Sequence, residues 1–338
     1  MSEVEQECLV SIVMPAYNSR ASIGAAIESA LGQTERRLEL IVIDDCSTDD
    51  TAEIAGRYAR HDARVRLLHM PHNGGPAAAR NAGFDAARGR WIALLDSDDM
   101  YAPQRLARLL ELAEANAADV VSDNLLVRPV SGTSYPLIPP NLLPYPRHLT
   151  AAEFVLRNIG DPKNPRLSYG FMQPMIRRDF LLRHGLRHDE RNRFGEDFML
   201  YIACLRAGAR WWLTPEALYH YVLRSGSLTE IQSSDDLLRI AQLEAAFLRD
   251  PRVMQDAAFC DALRRHKAKI DRGYYYRAFT DAIKQKRFGQ AVRLLTQSRW
   301  SLRYIAQEAA QQAPTILRKM MRGGYFVRSS RMVYPLLP

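Results

Sequence analysis

Through its first 127 residues the chain alternates two patterns, and that alternation narrows its fold more than any other feature. "LVSIVMP", "LELIVIDD", "VRLLHM", "RWIALLD" and "DVVSDNLLV" are short apolar runs of strand length. Between them lie "SIGAAIESALGQ", "DDTAEIAGRYAR", "GPAAARNAGFDAA" and "APQRLARLLELAEANA", whose apolar positions recur with helical spacing. Apolar strands separated by amphipathic helices imply βαβ units and a mostly parallel sheet. Right-handed crossovers then bring the C-terminal strand ends to one edge, where open α/β sheets bind ligands.

Four features fall at or near those ends: Pro15–Asn18, Asp44–Asp50, His72–Gly83 and Leu95–Asp99. The last, "LDSDD", puts Asp96, Asp98 and Asp99 within four positions. Like charges this close repel, so a positive partner is expected. A D-x-D turn can aim a carboxylate at a hard divalent cation that shares its oxygen ligands with phosphates. The same residues can simply start a helix at "SDDMYAPQRL", with Asp99 as a cap. Spacing alone leaves both readings open. Asp49 and Asp50 read as helix caps, with Asp50 and Glu53 resembling a capping box. Gly74 and Gly75 could be a bare turn. Neither G-x-G-x-x-G nor G-x-x-x-x-G-K-[ST] occurs, which argues against a dinucleotide dehydrogenase or a P-loop NTPase.

Beyond residue 127 the pattern changes. Residues 128–148 are proline-rich and read as a loop, held by packing on the core or by ligand. Regular structure resumes at "TAAEFVLRN", followed by a strand at "FMQPMIRR", a helix at "GEDFMLYIACLRAGA" and a β segment at "RWWLTPEALYHYVLR". From about Asp235 the chain reads helical. In "FGQAVRLLTQ", Phe288, Ala291, Val292 and Leu295 form one apolar stripe with basic flanks. From Arg264 onward 17 Lys and Arg face 3 Asp and Glu, which leaves 29 basic and 35 acidic residues before it. A basic end on an acidic body suggests a polyanionic surface as partner. No apolar run is long enough to span a bilayer. The acidic start "MSEVEQECLV" has no signal-peptide pattern. Four scattered cysteines without a C-x-x-C pair fit a reducing cytoplasm better than a disulfide framework or zinc site.

"VSIVMPAYNS", "LELIVIDDCSTDDT", "NGGPAAARNAG" and "GRWIALLDSDD" together resemble the nucleotide-sugar-binding half of family 2 glycosyltransferases with the GT-A fold. A second block, "FGEDFMLYIACLRAGA" followed by "YHYVLRSGSLT", resembles the acceptor side; the resemblance spans about residues 9–229. It implies an α/β fold: a Rossmann-like, mostly parallel sheet flanked by helices, with a helical C-terminal extension. The expected division is 1–127 for the nucleotide-sugar-binding half, 128–232 for the acceptor-binding half, and 233–338 for a basic helical region that is a candidate for membrane association. By the same resemblance Pro15, Ala16, Tyr17 and Asn18 line the nucleoside pocket. Asp45 accepts from the uracil N3–H, while Asp44 supports the turn. Arg80 reaches the base or phosphates, its alternative role being an ion pair on a helix. Asp96 and Ser97 lie near the ribose, and Asp98 holds Mn²⁺ or Mg²⁺ between the diphosphate oxygens.

Glu196-Asp197 resembles the family's acidic pair at the start of an acceptor-side helix. Inverting transfer needs one base to take the acceptor hydroxyl's proton, and Asp197 is the expected base with Glu196 as the alternative. His220 and Arg224 stand where related enzymes place a diphosphate- or metal-binding residue. The Q-x-x-R-W motif of processive synthases is absent, so transfer of a single sugar is expected. "DVVSDNLL" and "RWWLTPEALYHYVLRSGSLT" are similar to bacterial exopolysaccharide transferases of the succinoglycan type. That similarity implies UDP-glucose as donor, a lipid-linked oligosaccharide as acceptor, and a cytoplasmic enzyme peripheral to the inner membrane face. The rivals are a GT-A-fold UDP-sugar binder without catalysis, a transferase for another acceptor such as protein or lipopolysaccharide, and a basic nucleic-acid binder. The basic end carries no RNA- or DNA-reading motif, so nucleic acid is not expected as a partner.

Overall fold

The computed structural model describes residues 8–159, 168–192, 194–223, 233–297 and 301–310. The chain divides into two compact units, one ending at Ser225 and the other beginning at Gly226. The first unit opens with β1 (Val10–Ala16), α1 (Ile23–Leu31), β2 (Leu38–Asp44), α2 (Thr51–His61) and β3 (Val65–His69). Then come α3 (Gly75–Ala86), β4 (Trp91–Leu94), β5 (Met100–Tyr101), α4 (Arg105–Ala115) and β6 (Val120–Arg128). The 128–148 loop contains two short strands, β7 (Tyr135–Pro136) and β8 (Arg147–His148), and buries Ile138 and Leu143. After it come α5 (Ala151–Leu156), β9 (Met175–Arg177), α6 (Arg178–His184), α7 (Glu196–Arg206) and β10 (Trp211–Val222).

One sheet holds all ten strands, with the path β3-β2-β1-β4-β9-β6-β10-β5 and with β7 and β8 on β6 and β10. The longer strands β1, β2, β3, β4, β6 and β10 run one way; β5, β7, β8 and β9 pair antiparallel to them. Helices cover both faces of β1, which is why its run is apolar throughout instead of alternating. On one face Ile12 and Met14 join Ile23, Ala26, Ile27 and Ala30 of α1 in the main core. On the other, Gly83 of α3 sits against Val13 and Ile43. A Cβ at Gly83 would lie 2.3 Å from Val13 Cγ1 and 2.9 Å from Ile43 Cδ1. Gly83→Ala is therefore expected to destabilise by ~1–3 kcal/mol through overpacking, read as a lowered urea midpoint with an unchanged slope.

Three local expectations are corrected. The strand at "FMQPMIRR" shrinks to β9, because Pro174 has no N–H to give a ladder; residues Tyr169–Phe171 form a 3-10 turn instead. The capping box on α2 does not form. Asp50 occupies the N-cap position with φ −72° and ψ 9°, which does not aim its side chain at the helix amides, and it makes no cap hydrogen bond. Asp49 does that work, accepting from the Thr51 and Arg20 N–H groups. The third concerns Asp99 and is taken up with the site.

The second unit is helical: α8 (Ser234–Phe247), α9 (Pro251–Gln255), α10 (Ala257–Lys284) and α11 (Phe288–Thr296), with 301–310 helical as well. Ser233 and Asp236 form a capping box on α8. Within this unit Glu244 and His266 are buried against each other at 2.5 Å. No helix among the described residues is long and apolar enough to cross a membrane.

Candidate active site

Because β1, β2 and β4 are parallel, their C-terminal loops open on the same edge. Ala16 is buried and its carbonyl accepts from the Asp45 N–H (2.9 Å), so it is part of the frame. Pro15 is half-buried, whereas Tyr17 and Asn18 are exposed at the rim. Asn18 has φ +49°, a left-handed geometry that asparagine tolerates. Its side chain accepts from the Thr48 N–H (2.8 Å) and its own N–H donates to Ser47 Oγ (3.1 Å), tying the β1 loop to the β2 loop.

Asp45 and the glycine turn form one unit. Both Asp45 oxygens accept backbone N–H groups, from Gly74 and Gly75, each at 2.8 Å. Gly75 has φ +79°, which favours glycine, so "NGG" is a carboxylate cradle and not a bare turn. A carboxylate accepts about four hydrogen bonds, so Asp45 retains capacity for a base N–H. Asp44 supports the turn as expected, accepting from the Ser47 N–H (3.2 Å).

The cation among the carboxylates is Arg80, from α3. It donates to Asp96 (2.8 Å), Glu196 (2.9 Å) and Asp197 (3.1 Å). Asp96 also accepts from Gln173 Nε2 (3.3 Å). Arg80 is thus in an ion-pair network that joins positions more than a hundred residues apart. Burial alone would lower the Arg80 pKa, yet Asp197, Asp96 and Glu196 hold it well above its ordinary value. Asp197 is pushed up to about 8, first by desolvation and then by Glu196 and Asp96, against the pull of Arg80. Glu196 and Asp197 open α7 after Gly195, whose φ of +72° makes the sharp entry.

Asp99 is not a cap: the N-cap of α4 is Gln104, and β5 intervenes. Asp99 is buried and accepts from Tyr219 Oη (2.8 Å) and the Val222 N–H (2.8 Å). Tyr219 Oη in turn accepts from the Asp96 N–H (3.2 Å), so β10 clasps the acidic loop. Burial, then Asp96 and Asp98, pushes Asp99 well above the usual carboxylate range. Ser97 is buried on Ser19, Oγ to Oγ at 2.7 Å. His220 pairs with Met100 and Leu126, one position on from Tyr219 and hence on the opposite face of the strand. Tyr219, not His220, therefore meets the acidic loop. Arg224 lies outside the described residues.

A family model described as Glycosyl transferase family 2 matches residues 11–180. The chain belongs to glycosyl transferase family 2. The succinoglycan biosynthesis protein ExoO of Rhizobium meliloti (strain 1021) is 41% identical over 240 residues, 71% of this chain and 68% of that one. ExoU of the same organism is 36% identical over 284 residues, 83% and 81% of the two chains. In fold, this family 2 glycosyltransferase is similar to S. aureus TarS 1-349 in its crystal structure with UDP-GlcNAc. The TM-score is 0.65 at 18% identity, covering 94% of this chain and 93% of that one. The fold expectation therefore holds: a central α/β sheet flanked by helices, with a helical C-terminal region.

Among the described residues no three His, Cys, Asp or Glu side chains gather into a metal-binding group. Asp98 is a half-buried carboxylate two positions from Asp96, whose own carboxylate accepts from Arg80. That set fits a cation arriving with phosphates, which needs only one or two protein carboxylates.

Sequence reasoning missed four contributors. Arg105 and Asp123 form a fully buried ion pair (2.7 Å), and Arg105 Nη2 also donates to the Gln173 carbonyl (2.5 Å). Its guanidinium lies over the Tyr101 ring, 4.3 Å from the centroid. Gln173 carries this contact to Asp96. His188 is buried with Nδ1 3.7 Å from Asp197, and burial and Arg80 hold its pKa well below the ordinary value. Its only sequence signal was a charged run, "LRHDER", which reads equally as a surface loop.

Proposed function

We propose that this glycosyltransferase is inverting and moves one sugar, with UDP-glucose as the first donor to test, to a hydroxyl of a lipid-linked oligosaccharide in exopolysaccharide synthesis. One observation carries the reading: Arg80 joins Asp96 of the donor-side loop to Asp197 of the acceptor-side helix. A base is thereby held beside the place where a nucleotide's phosphates would lie. Tyr17, Asn18 and Asp45 would receive the nucleoside. Asp98 would hold Mn²⁺ or Mg²⁺, which when bound would draw charge from the departing diphosphate. Asp197 would take the acceptor proton as the hydroxyl oxygen attacks the anomeric carbon and the bond to the diphosphate oxygen breaks. No glycosyl-enzyme forms, so one carboxylate suffices.

Support comes from the relatives ExoO and ExoU, which are succinoglycan biosynthesis proteins, and from TarS, whose structures are in complex with UDP and UDP-GlcNAc. A lipid-linked acceptor would place the enzyme in the cytoplasm, peripheral to the membrane's anionic inner face.

The test is a screen of nucleotide-sugars for metal-dependent hydrolysis and transfer. The wild-type protein is expected to hydrolyse a UDP-sugar slowly with Mn²⁺ or Mg²⁺ and not with chelator. Asp98→Ala is expected to abolish turnover and weaken UDP binding in Mn²⁺, with an unchanged circular dichroism spectrum. Metal-dependent UDP affinity that survives Asp98→Ala in calorimetry would remove Asp98 from this role. No turnover of any nucleotide-sugar, with UDP still bound, would favour the non-catalytic binder.

A further inference from the structure

The α10–α11 hairpin ends in an apolar surface that its own fold leaves half covered. The sequence put Phe288, Ala291, Val292 and Leu295 on one stripe, but the helix is rotated from that expectation. It buries Ala291 and Leu294 against Ala278 and Ala282 of α10, with Tyr274, Tyr275 and Phe279 packed around them. Phe288 and Val292, one turn apart, are left 61% and 60% exposed. Ile283, on the last turn of α10, is 42% exposed. The connection is a built turn: the Lys286 N–H donates to the Ile283 carbonyl (3.0 Å) and the Arg287 N–H to the Ala282 carbonyl (2.8 Å). Phe288 is thus presented at the hairpin tip by hydrogen-bonded structure.

From residue 282 to 297 the charges have one sign. Lys284, Lys286, Arg287 and Arg293 are all exposed, and no Asp or Glu occurs from Ala282 to Gln297. Among the described residues none of the four is paired to a carboxylate, unlike Arg37, Arg57 or Arg108 elsewhere on the surface. Arg293 also lines an open cleft of about 330 Å³ with Tyr274, Gln290, Leu294 and Gln297, beside the apolar ridge.

From this juxtaposition of exposed Phe288, Val292 and Ile283 with four cations that no carboxylate among the described residues pairs, we propose that the α10–α11 hairpin is the element that docks on an anionic lipid surface. Apolar side chains among cations suit such a surface, where insertion and headgroup attraction add. A second copy is disfavoured, because matching faces would oppose cation to cation. A nucleic acid backbone would use the cations and leave the apolar ridge without a partner. The inference deepens the membrane reading above by naming the residues that make the contact. It involves no donor or acceptor, so its failure leaves the transfer reading standing.

The full chain is mixed with phosphatidylcholine vesicles, with and without phosphatidylglycerol, and pelleted. Binding is expected only with phosphatidylglycerol, and to weaken with salt. Phe288→Ser with Val292→Ser is expected to lower the partition coefficient about tenfold or more, and changing the four cations to Gln by at least as much. Both sets alter exposed positions, and circular dichroism checks that they fold. A fluorophore on Phe288→Cys is expected to shift to the blue on these vesicles. Equal binding to both vesicle types, wild-type partitioning by both variants, or no shift of the fluorophore would overturn the proposal. So would concentration-dependent dimers in sedimentation that Phe288→Ser dissolves, which would make this face a contact between copies.

Discussion

Asp197→Asn is expected to lower kcat by at least roughly 10²-fold while leaving UDP affinity nearly unchanged, the scale of a lost general base. The substitution keeps the shape and the contact to Arg80 but removes the capacity to accept a proton. The pH dependence follows from its surroundings. Desolvation pushes Asp197 up to about 8, with Arg80 opposing. A base must be ionised to act, so kcat should rise with pH and its acid limb should lie well above the ordinary carboxylate range. Asp197→Asn should remove the limb together with the activity. If Glu196→Gln is the inactive variant and Asp197→Asn retains kcat within tenfold, the base is Glu196.

Arg105→Met is expected to cost ~3–5 kcal/mol of stability, because it strands a carboxylate in the core. Asp123 is 1% exposed and receives both Nε and Nη2 of Arg105. Converting both partners together, Arg105→Met with Asp123→Leu, should recover most of that loss, since the stranded charge is then gone. Urea unfolding measures both. Arg105 also holds the carbonyl of Gln173, whose amide reaches Asp96. The double variant should therefore remain folded yet bind UDP more weakly. If the single variant unfolds at the wild-type urea concentration, the pair is not the support described here.

The donor side was legible because its information is local. Apolar runs ending in "PAYN", "DDCSTDD" and "LDSDD" mark strand ends, and parallel topology gathers strand ends by itself. Pairings across the chain left no such mark. Arg80 finds Asp197 117 residues away, and Asp99 finds Tyr219 at 120, so nothing in either neighbourhood named the other. Asp99 therefore read as a helix cap, a role its spacing also allowed. His220 is placed at the diphosphate or metal by resemblance alone, and nothing local singles out Tyr219. Strand alternation puts His220 on the face opposite the buried Tyr219. Arg80 was placed near the phosphates by resemblance, and its hold on Glu196 and Asp197 needed coordinates.

The position of β9 bears on how enzymes of this shape can diversify. β6 is made by residues before 129, yet its sheet neighbours are β7, β9 and β10, all of them encoded later. Among the described residues β9 alone bridges β4 to β6. A gene cut between the donor-side and acceptor-side sequences would yield pieces that each lack the strand completing the other. Exchanging acceptor halves between relatives would also demand a matched β9 edge and a matched partner for Arg80. New specificities are therefore easier to reach by point changes in the loops than by recombination within the sheet, and the heritable module is the whole first unit.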